Sequence, residues 1–177
     1  MKIINWPVLT RKLHFWGSIA IALPVLIVIV TGILLLLRKD IDWIQPPSAK
    51  GSAQTPTIAF DSILITAKSV AKANIEDWSD IDRLDVRPAK GIIKIRAVNQ
   101  WEIQIDQQTG EVLSTAYRRS DVIEAIHEGT FFHEAARLGV FMPSALVLFV
   151  LWVSGMYLFC ITLASRAKKR RRLQRKA

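Results

Sequence analysis

Apolar and polar positions along the chain fall into three patterns. The first is an unbroken apolar run. Residues 14–37 (HFWGSIAIALPVLIVIVTGILLLL) hold 24 positions without a charge. A helix that long measures about 36 Å, enough to cross a hydrocarbon core of roughly 30 Å with some tilt. Residues 140–164 form a second uncharged run, 25 long. The second pattern is a stripe. Phe60, Ile63, Leu64, Ala67, Val70 and Ala71 recur on one helical face, which predicts a helix over 59–74. The third is strict alternation. Leu84 and Val86 alternate with Arg83, Asp85 and Arg87. Ile93, Ile95 and Ala97 alternate with Lys94 and Arg96, and Trp101, Ile103 and Ile105 with Glu102, Gln104 and Asp106. Turn residues at 88–91, 99–100 and 106–110 separate these runs, and Val112-Leu113 opens another. The pattern predicts three or four antiparallel strands, each with one buried face.

These elements give seven segments: a short lead (1–13), a transmembrane helix (14–37), a linker (38–56), a small α+β domain (57–118), an interfacial helix (119–139), a second transmembrane helix (140–164) and a tail (165–177). The linker reading rests on Gln45-Pro46-Pro47-Ser48-Ala49-Lys50-Gly51-Ser52, which cannot continue a helix. The expected fold class is membrane α plus α+β: two spans flanking a small helix-on-antiparallel-sheet domain outside the cytoplasm. Gly139 and Pro143 are expected to bend the chain where it approaches the second span.

Charge orients this layout. The net charge is +9, yet residues 38–139 hold all 15 acids against 13 bases. The excess sits at the ends, with Lys2, Arg11 and Lys12 before the first span and eight bases from Arg166 to Lys176 after the second. Basic residues flanking spans mark the cytoplasmic side. The expectation is N-in and C-in, with residues 38–139 extracytoplasmic. A basic tail directly following an apolar helix is explained by topology and anionic lipid, so nucleic acid is not expected as a partner. The first run is too long for a signal-peptide core and is read as an uncleaved anchor. The single cysteine, Cys160, lies in the second span, so the outer domain has no disulfide.

Candidate chemistry is sparse. On helical spacing His14, Ser18 and Gly32 share a line along the first span, and Ser154-Gly155 lie deep in the second; such small residues let helices approach closely. Ionisable groups at a membrane are functional candidates by default, which selects His14, His127 and His133. Neutral imidazole is a good iron ligand. His14 stands at one membrane boundary and the other two near the opposite one, so His14 cannot share an iron with either. His127 and His133 lie about 120° apart on a continuous helix and cannot clamp one iron. One chain then supplies one ligand per site, and a bis-histidine site needs a homodimer or another membrane protein. Beside Arg11-Lys12, His14 can equally be an ordinary interfacial residue, and His133 beside Glu134 a solvated one. No phosphate loop, nucleophile triad or H-E-x-x-H is present, so an enzyme of those kinds is not expected. Asp77, Asp80, Asp82 and Asp85 lack the glycine and terminal glutamate of an EF-hand.

Three stretches carry a resemblance. Arg11-Lys12-Leu13-His14-Phe15-Trp16-Gly17 running to Thr31-Gly32 is similar to an opening "L-H-x-W-x-G … T-G" helix. Asp106-Gln107-Gln108-Thr109-Gly110-Glu111-Val112 resembles a "D-x-x-T-G-E-V" hairpin. Ile126-His127-Glu128-Gly129 with Ser154-Gly155 resembles an "L-H-x-G … S-G" closing helix. In this order they resemble the PepSY-associated transmembrane helix family over nearly the whole chain. The resemblance implies a PepSY-like outer domain, a bacterial inner membrane and a link to iron or siderophore uptake. Larger relatives bear haem b on histidines, which implies haem iron held through His14 or His127, with His133 the weakest candidate. This chain has two spans and no flavin or nicotinamide domain. The expected role is a haem-binding or electron-transfer accessory subunit. The alternative is a non-enzymatic anchored module binding an envelope protein or regulating a peptidase, and a third reading is a structural subunit of a larger complex.

Overall fold

The computed structural model describes residues 6–52 and 55–174. The chain divides into two compact units, residues 31–125 and the remainder.

The unit of residues 31–125 is built on a four-stranded antiparallel meander in the order β1-β2-β3-β4: β1 Ile81–Arg87, β2 Ile92–Ala97, β3 Trp101–Asp106 and β4 Val112–Tyr117. Alternation sends Ile93, Ile95, Ala97, Ile103 and Ile105 to one face, where they close over Ile63, Ala67, Ala73 and Ile75. Ile63 and Ala67 come from the amphipathic helix, here Phe60–Lys68. It is shorter than its stripe predicts. The Ser69 hydroxyl donates to the Thr66 carbonyl at 2.7 Å, and a 3-10 turn, Ala71–Ala73, then carries Ala73 inward to left-handed Asn74. Apolar spacing reads the same whether the last turn is α-helical or 3-10.

The other face of the sheet is also buried. Lys94, Glu102, Gln104 and Asp106 are each no more than 3% exposed. Residues 44–52, expected as part of a linker, lie across them as a strap. Ala49 N–H donates to Gln104 Oε1 at 2.7 Å, and Gln104 Nε2 donates to the Pro47 carbonyl at 2.8 Å. Ser52 donates to Asp106 Oδ2 through its backbone N–H and its hydroxyl, at 2.6 and 2.7 Å. Gly51 N–H donates to the Lys90 carbonyl, and a Cβ at Gly51 would collide with the Gly91 carbonyl, so only glycine allows this approach. Two prolines and a glycine thus exclude regular structure without freeing the chain.

Asp106 ties the strap to the hairpin turn of the D-x-x-T-G stretch. Its Oδ1 accepts from Gln108 N–H at 2.8 Å and Thr109 N–H at 3.0 Å, and Gly110 takes the left-handed φ of +76° that the turn needs. The backbone N–H groups of Thr109, Ser52 and Gln108, with the Ser52 hydroxyl, hold the Asp106 carboxyl well below the usual carboxylate range.

Glu102 centres the buried charge. It accepts from Lys94 Nζ at 2.9 Å, Gln104 Nε2 at 2.8 Å and Arg118 NH1 at 2.7 Å. Arg118 forks to Asp121 with NH2 at 2.9 Å, and Arg96 Nε lies 3.9 Å from Glu102. Burial pushes the Lys94 ammonium down, more than the Glu102 carboxylate pushes it up.

In the other unit, α1 (Trp6–Leu36) contributes its residues to Val30. A helix expected over 119–139 is broken. It runs Arg119–Glu128 and stops at Gly129, whose φ is +89°. The chain restarts at Glu134–Ala136, takes a π-helical turn at Arg137–Phe141 and continues as a helix over Met142–Gln174. The π-turn contains Gly139 and precedes Pro143, which has no N–H to give a regular turn. The helices at 60–68, 119–128, 134–136 and 142–174 are α2 to α5.

Removing one partner of a buried charge network leaves the others uncompensated, at about 3–5 kcal/mol. Glu102→Ala is expected to cost that much in denaturant titration of the detergent-solubilised protein. Arg83→Ala, which breaks the exposed Arg83–Asp82 pair, should cost less than about 1 kcal/mol. Equal effects would contradict the buried network.

Candidate functional site

Two helices, Trp6–Leu36 and Glu134–Lys168, are long and apolar enough to cross a membrane. Their large side chains face outward: Leu23 is 67% and Trp152 64% exposed. Such surfaces need an apolar solvent.

Contacts between α1 and α5 run in opposite sequence directions. His14 meets Ser154, and a Cβ at Gly17 would meet Leu151 and Val147, so the helices pair antiparallel. This sets Arg11-Lys12 at the same end of the pair as the basic stretch 166–172.

His14 is half-buried at that end. Its Nδ1 lies 3.0 Å from Ser154 Oγ. Ser154 Oγ in turn lies 2.9 Å from the Leu151 carbonyl and donates to it. A hydroxyl has one proton. When that proton goes to Leu151, Ser154 accepts from His14, and in the neutral ring this places the hydrogen on Nδ1 and leaves Nε2 a lone pair. Gly155 lies against the ring; a Cβ there would stand 3.5 Å from His14 Cε1, an ordinary contact. His14, Phe15, Ile19, Ala22 and Leu158 line an open, mainly apolar groove of about 400 Å³, with Arg11 at its rim. A neutral imidazole nitrogen beside apolar walls and one guanidinium can ligate a metal ion and pair an anionic substituent on the same ligand.

Apart from Ser18, the other sequence candidates do not line this groove. Ser18 is exposed, and its hydroxyl donates to the His14 carbonyl of its own helix at 2.7 Å, while it also borders the groove. Gly32 is half-buried on α1. His127 is half-buried in the last turn of α3. His133 is exposed and caps α4, its Nδ1 accepting from Ala135 N–H at 3.0 Å. Ser154 lies 12 residues along α5 from Met142, about 18 Å, whereas His127 and His133 precede that helix. Among the described residues no group of three His, Cys, Asp or Glu could hold a metal ion.

Sequence reasoning missed Gly17 as a packing residue, Arg11 as a groove residue and the polar task of Ser154. The signal for Gly17 was its place three residues after His14, on the adjoining face about 60° away. Nothing in the sequence distinguishes a serine chosen for size from one chosen for its hydroxyl.

Residues 11–177 match the family described as the PepSY-associated TM region. The chain belongs to the PepSY-associated TM family. It is a membrane protein of the PepSY-TM type with a small antiparallel-sheet unit. Searches of curated proteins and of solved structures find no match. In this PepSY-associated protein the histidine of the opening motif and the Ser-Gly of the closing motif are spatial partners.

Gly17 and Gly155 differ in the room they have. A Cβ at Gly17 would stand 3.1 Å from Leu151 Cδ2, which leaves no space for a longer side chain. Gly17→Leu should destabilise the helix pair by about 1–3 kcal/mol of overpacking. Gly155→Ala should be nearly neutral. Unfolding in mixed micelles checks both, and an intact Gly17→Leu protein would contradict the packing.

Proposed function

We propose that this PepSY-associated protein is a haem-binding accessory subunit of a bacterial inner membrane, passing electrons in support of iron or siderophore uptake. The observation that carries the reading is the His14–Ser154 contact, made through Nδ1 of a ring that borders an apolar groove also lined by Arg11. The donor set fits haem b: His14 would supply an iron ligand, Ser154 would orient it, and Arg11 would pair with an anionic substituent. Haem supplies a one-electron couple when bound. One chain offers one such imidazole, so the completed site takes a second copy related by a two-fold axis, or another membrane subunit. His127 is the candidate ligand toward the opposite boundary, and His133, already a helix cap, the weakest. The antiparallel pair and its shared basic end support N-in, C-in topology with residues 38–139 outside.

The test is spectroscopic. Protein purified from haem-replete cells should show a Soret band that red-shifts on reduction. His14→Ala should remove it and Ser154→Ala should lower haem retention about 10-fold, as loss of an orienting partner does elsewhere. A folded, colourless preparation, or a band unchanged in His14→Ala, would refute the proposal.

A second reading, an anchored peptide- or peptidase-binding module, is favoured by one observation. The β4 edge, Val112–Tyr117, carries no charge, whereas the β1 edge holds Asp82, Arg83, Asp85 and Arg87. Charged edges resist pairing and uncharged ones invite an added strand. A photo-crosslinker at Thr115 should then trap an extended peptide in the full-length protein; adducts only at β1 would count against it.

A further inference from the structure

The unit of residues 31–125 holds a second cavity, of about 330 Å³, where α1 gives way to the strap. Arg38, Lys39, Arg87 and Lys90 line it, with Pro47 and Ser48 among the strap residues that close it. Its charge is one-sided. Arg87 gives Nε and NH2 to Asp85 Oδ2, at 2.8 and 2.6 Å, and its NH1 lies 3.4 Å from Ser48 Oγ. Among the described residues the side chains of Arg38, Lys39 and Lys90 enter no ion pair. Asp40 and Asp42, close in sequence, do not line the cavity. Four cations therefore converge on one concavity and one carboxylate answers them.

The wall is built in advance. Gln104 and Asp106 hold the strap on either side of Ser48, through Pro47, Ala49 and Ser52. An arriving anion meets charges that already face one another, which lowers the cost of ordering them. The location narrows the anion. Arg38 and Lys39 directly follow Leu36 and Leu37, the end of the apolar run. Leu36 is 82% exposed, and Ile41 and Trp43 are exposed one turn on. This combination of exposed aliphatic, tryptophan and cation belongs at the headgroup level of a bilayer.

We propose that this cavity binds the phosphate of an anionic phospholipid headgroup, its acyl chains lying along the exposed end of α1. The inference rests on α1 crossing a membrane and is independent of haem. The bound phosphodiester takes hydrogen bonds from the guanidinium of Arg38 and the ammonium groups of Lys39 and Lys90. The lipid thereby fixes the depth of the α1 terminus and the adjoining strap.

The test uses the full-length protein in mild detergent, by native mass spectrometry against phosphatidylglycerol and phosphatidylcholine. Phosphatidylglycerol should be retained preferentially, and each cation removed should weaken it about fivefold. K39Q/K90Q should lose the preference, while K68Q, outside the cavity, should keep it. If K39Q/K90Q unfolds by circular dichroism, R38Q alone is read for the fivefold loss. A parallel arm titrates inorganic phosphate without lipid. Equal retention of both lipids by the unsubstituted protein, or an unchanged preference in a folded variant, overturns the proposal. Phosphate binding that K39Q/K90Q removes, with no lipid preference, assigns the cavity to a free anion and overturns the lipid.

Discussion

Ser154 has one hydroxyl proton and two neighbours within reach, the Leu151 carbonyl at 2.9 Å and His14 Nδ1 at 3.0 Å. From that constraint the arrangement of the paired helices follows. With the Leu151 carbonyl as acceptor, the neutral imidazole of His14 donates through Nδ1 to Ser154 on α5, and the same side chain borders the groove. The pairing that makes this contact also requires Gly17 to be small, because a side chain there would press on Leu151, whereas a Cβ at Gly155 would meet the ring at an ordinary distance. In hydrocarbon a polar contact has no water to compete with it, so one imidazole–hydroxyl pair can set the register of two otherwise apolar helices. The same bond serves structure and leaves a ligand nitrogen.

The unit of residues 31–125 obeys a different constraint. A sheet whose polar face is covered by chain must satisfy most of the buried donors and acceptors there, and Arg96 Nε, 3.9 Å from Glu102, is left without a hydrogen bond. Glu102 answers Lys94 and Arg118, Gln104 answers the strap backbone on both sides, and Asp106 closes the turn and the strap together. Such a network is weak evidence for stability, since hydrophobic replacements often do as well; here it fixes where the strap lies. Its position gives the basic cavity a rigid wall.

How much of this was legible follows from what each sequence signal measures. The two apolar runs declared themselves by length alone, and three of the four strands by alternation, because both periods are imposed by backbone geometry; the fourth was signalled only by Val112-Leu113 after a turn. Burial of the polar face was not legible. Lys94, Glu102 and Gln104 alternate with isoleucines whether water or chain covers them, and only the partners, far away in sequence, decide it. Residues 45–52 announced irregular structure through Pro46-Pro47 and Gly51, but irregular chain can be tethered or docked, and composition does not say which. The helix over 119–139 failed at Gly129, where a left-handed stop outweighed the apolar spacing that continued past it. Within the helix pair, His14 stood out because an ionisable group at a membrane is a functional candidate by default. Its partner did not, because a serine in a span is noticed for its size.

The claim on which the rest depends is that His14 holds hydrogen on Nδ1 and presents Nε2. Nitrogen-15 NMR of histidine-labelled protein in bilayers reports this directly, for each ring nitrogen separately. With haem absent and pH above the histidine range, His14 should be the δ1-protonated tautomer, and Ser154→Ala should let the ε2-protonated form appear. An ε2-protonated His14 in the unsubstituted protein, or a tautomer indifferent to Ser154→Ala, would contradict the account.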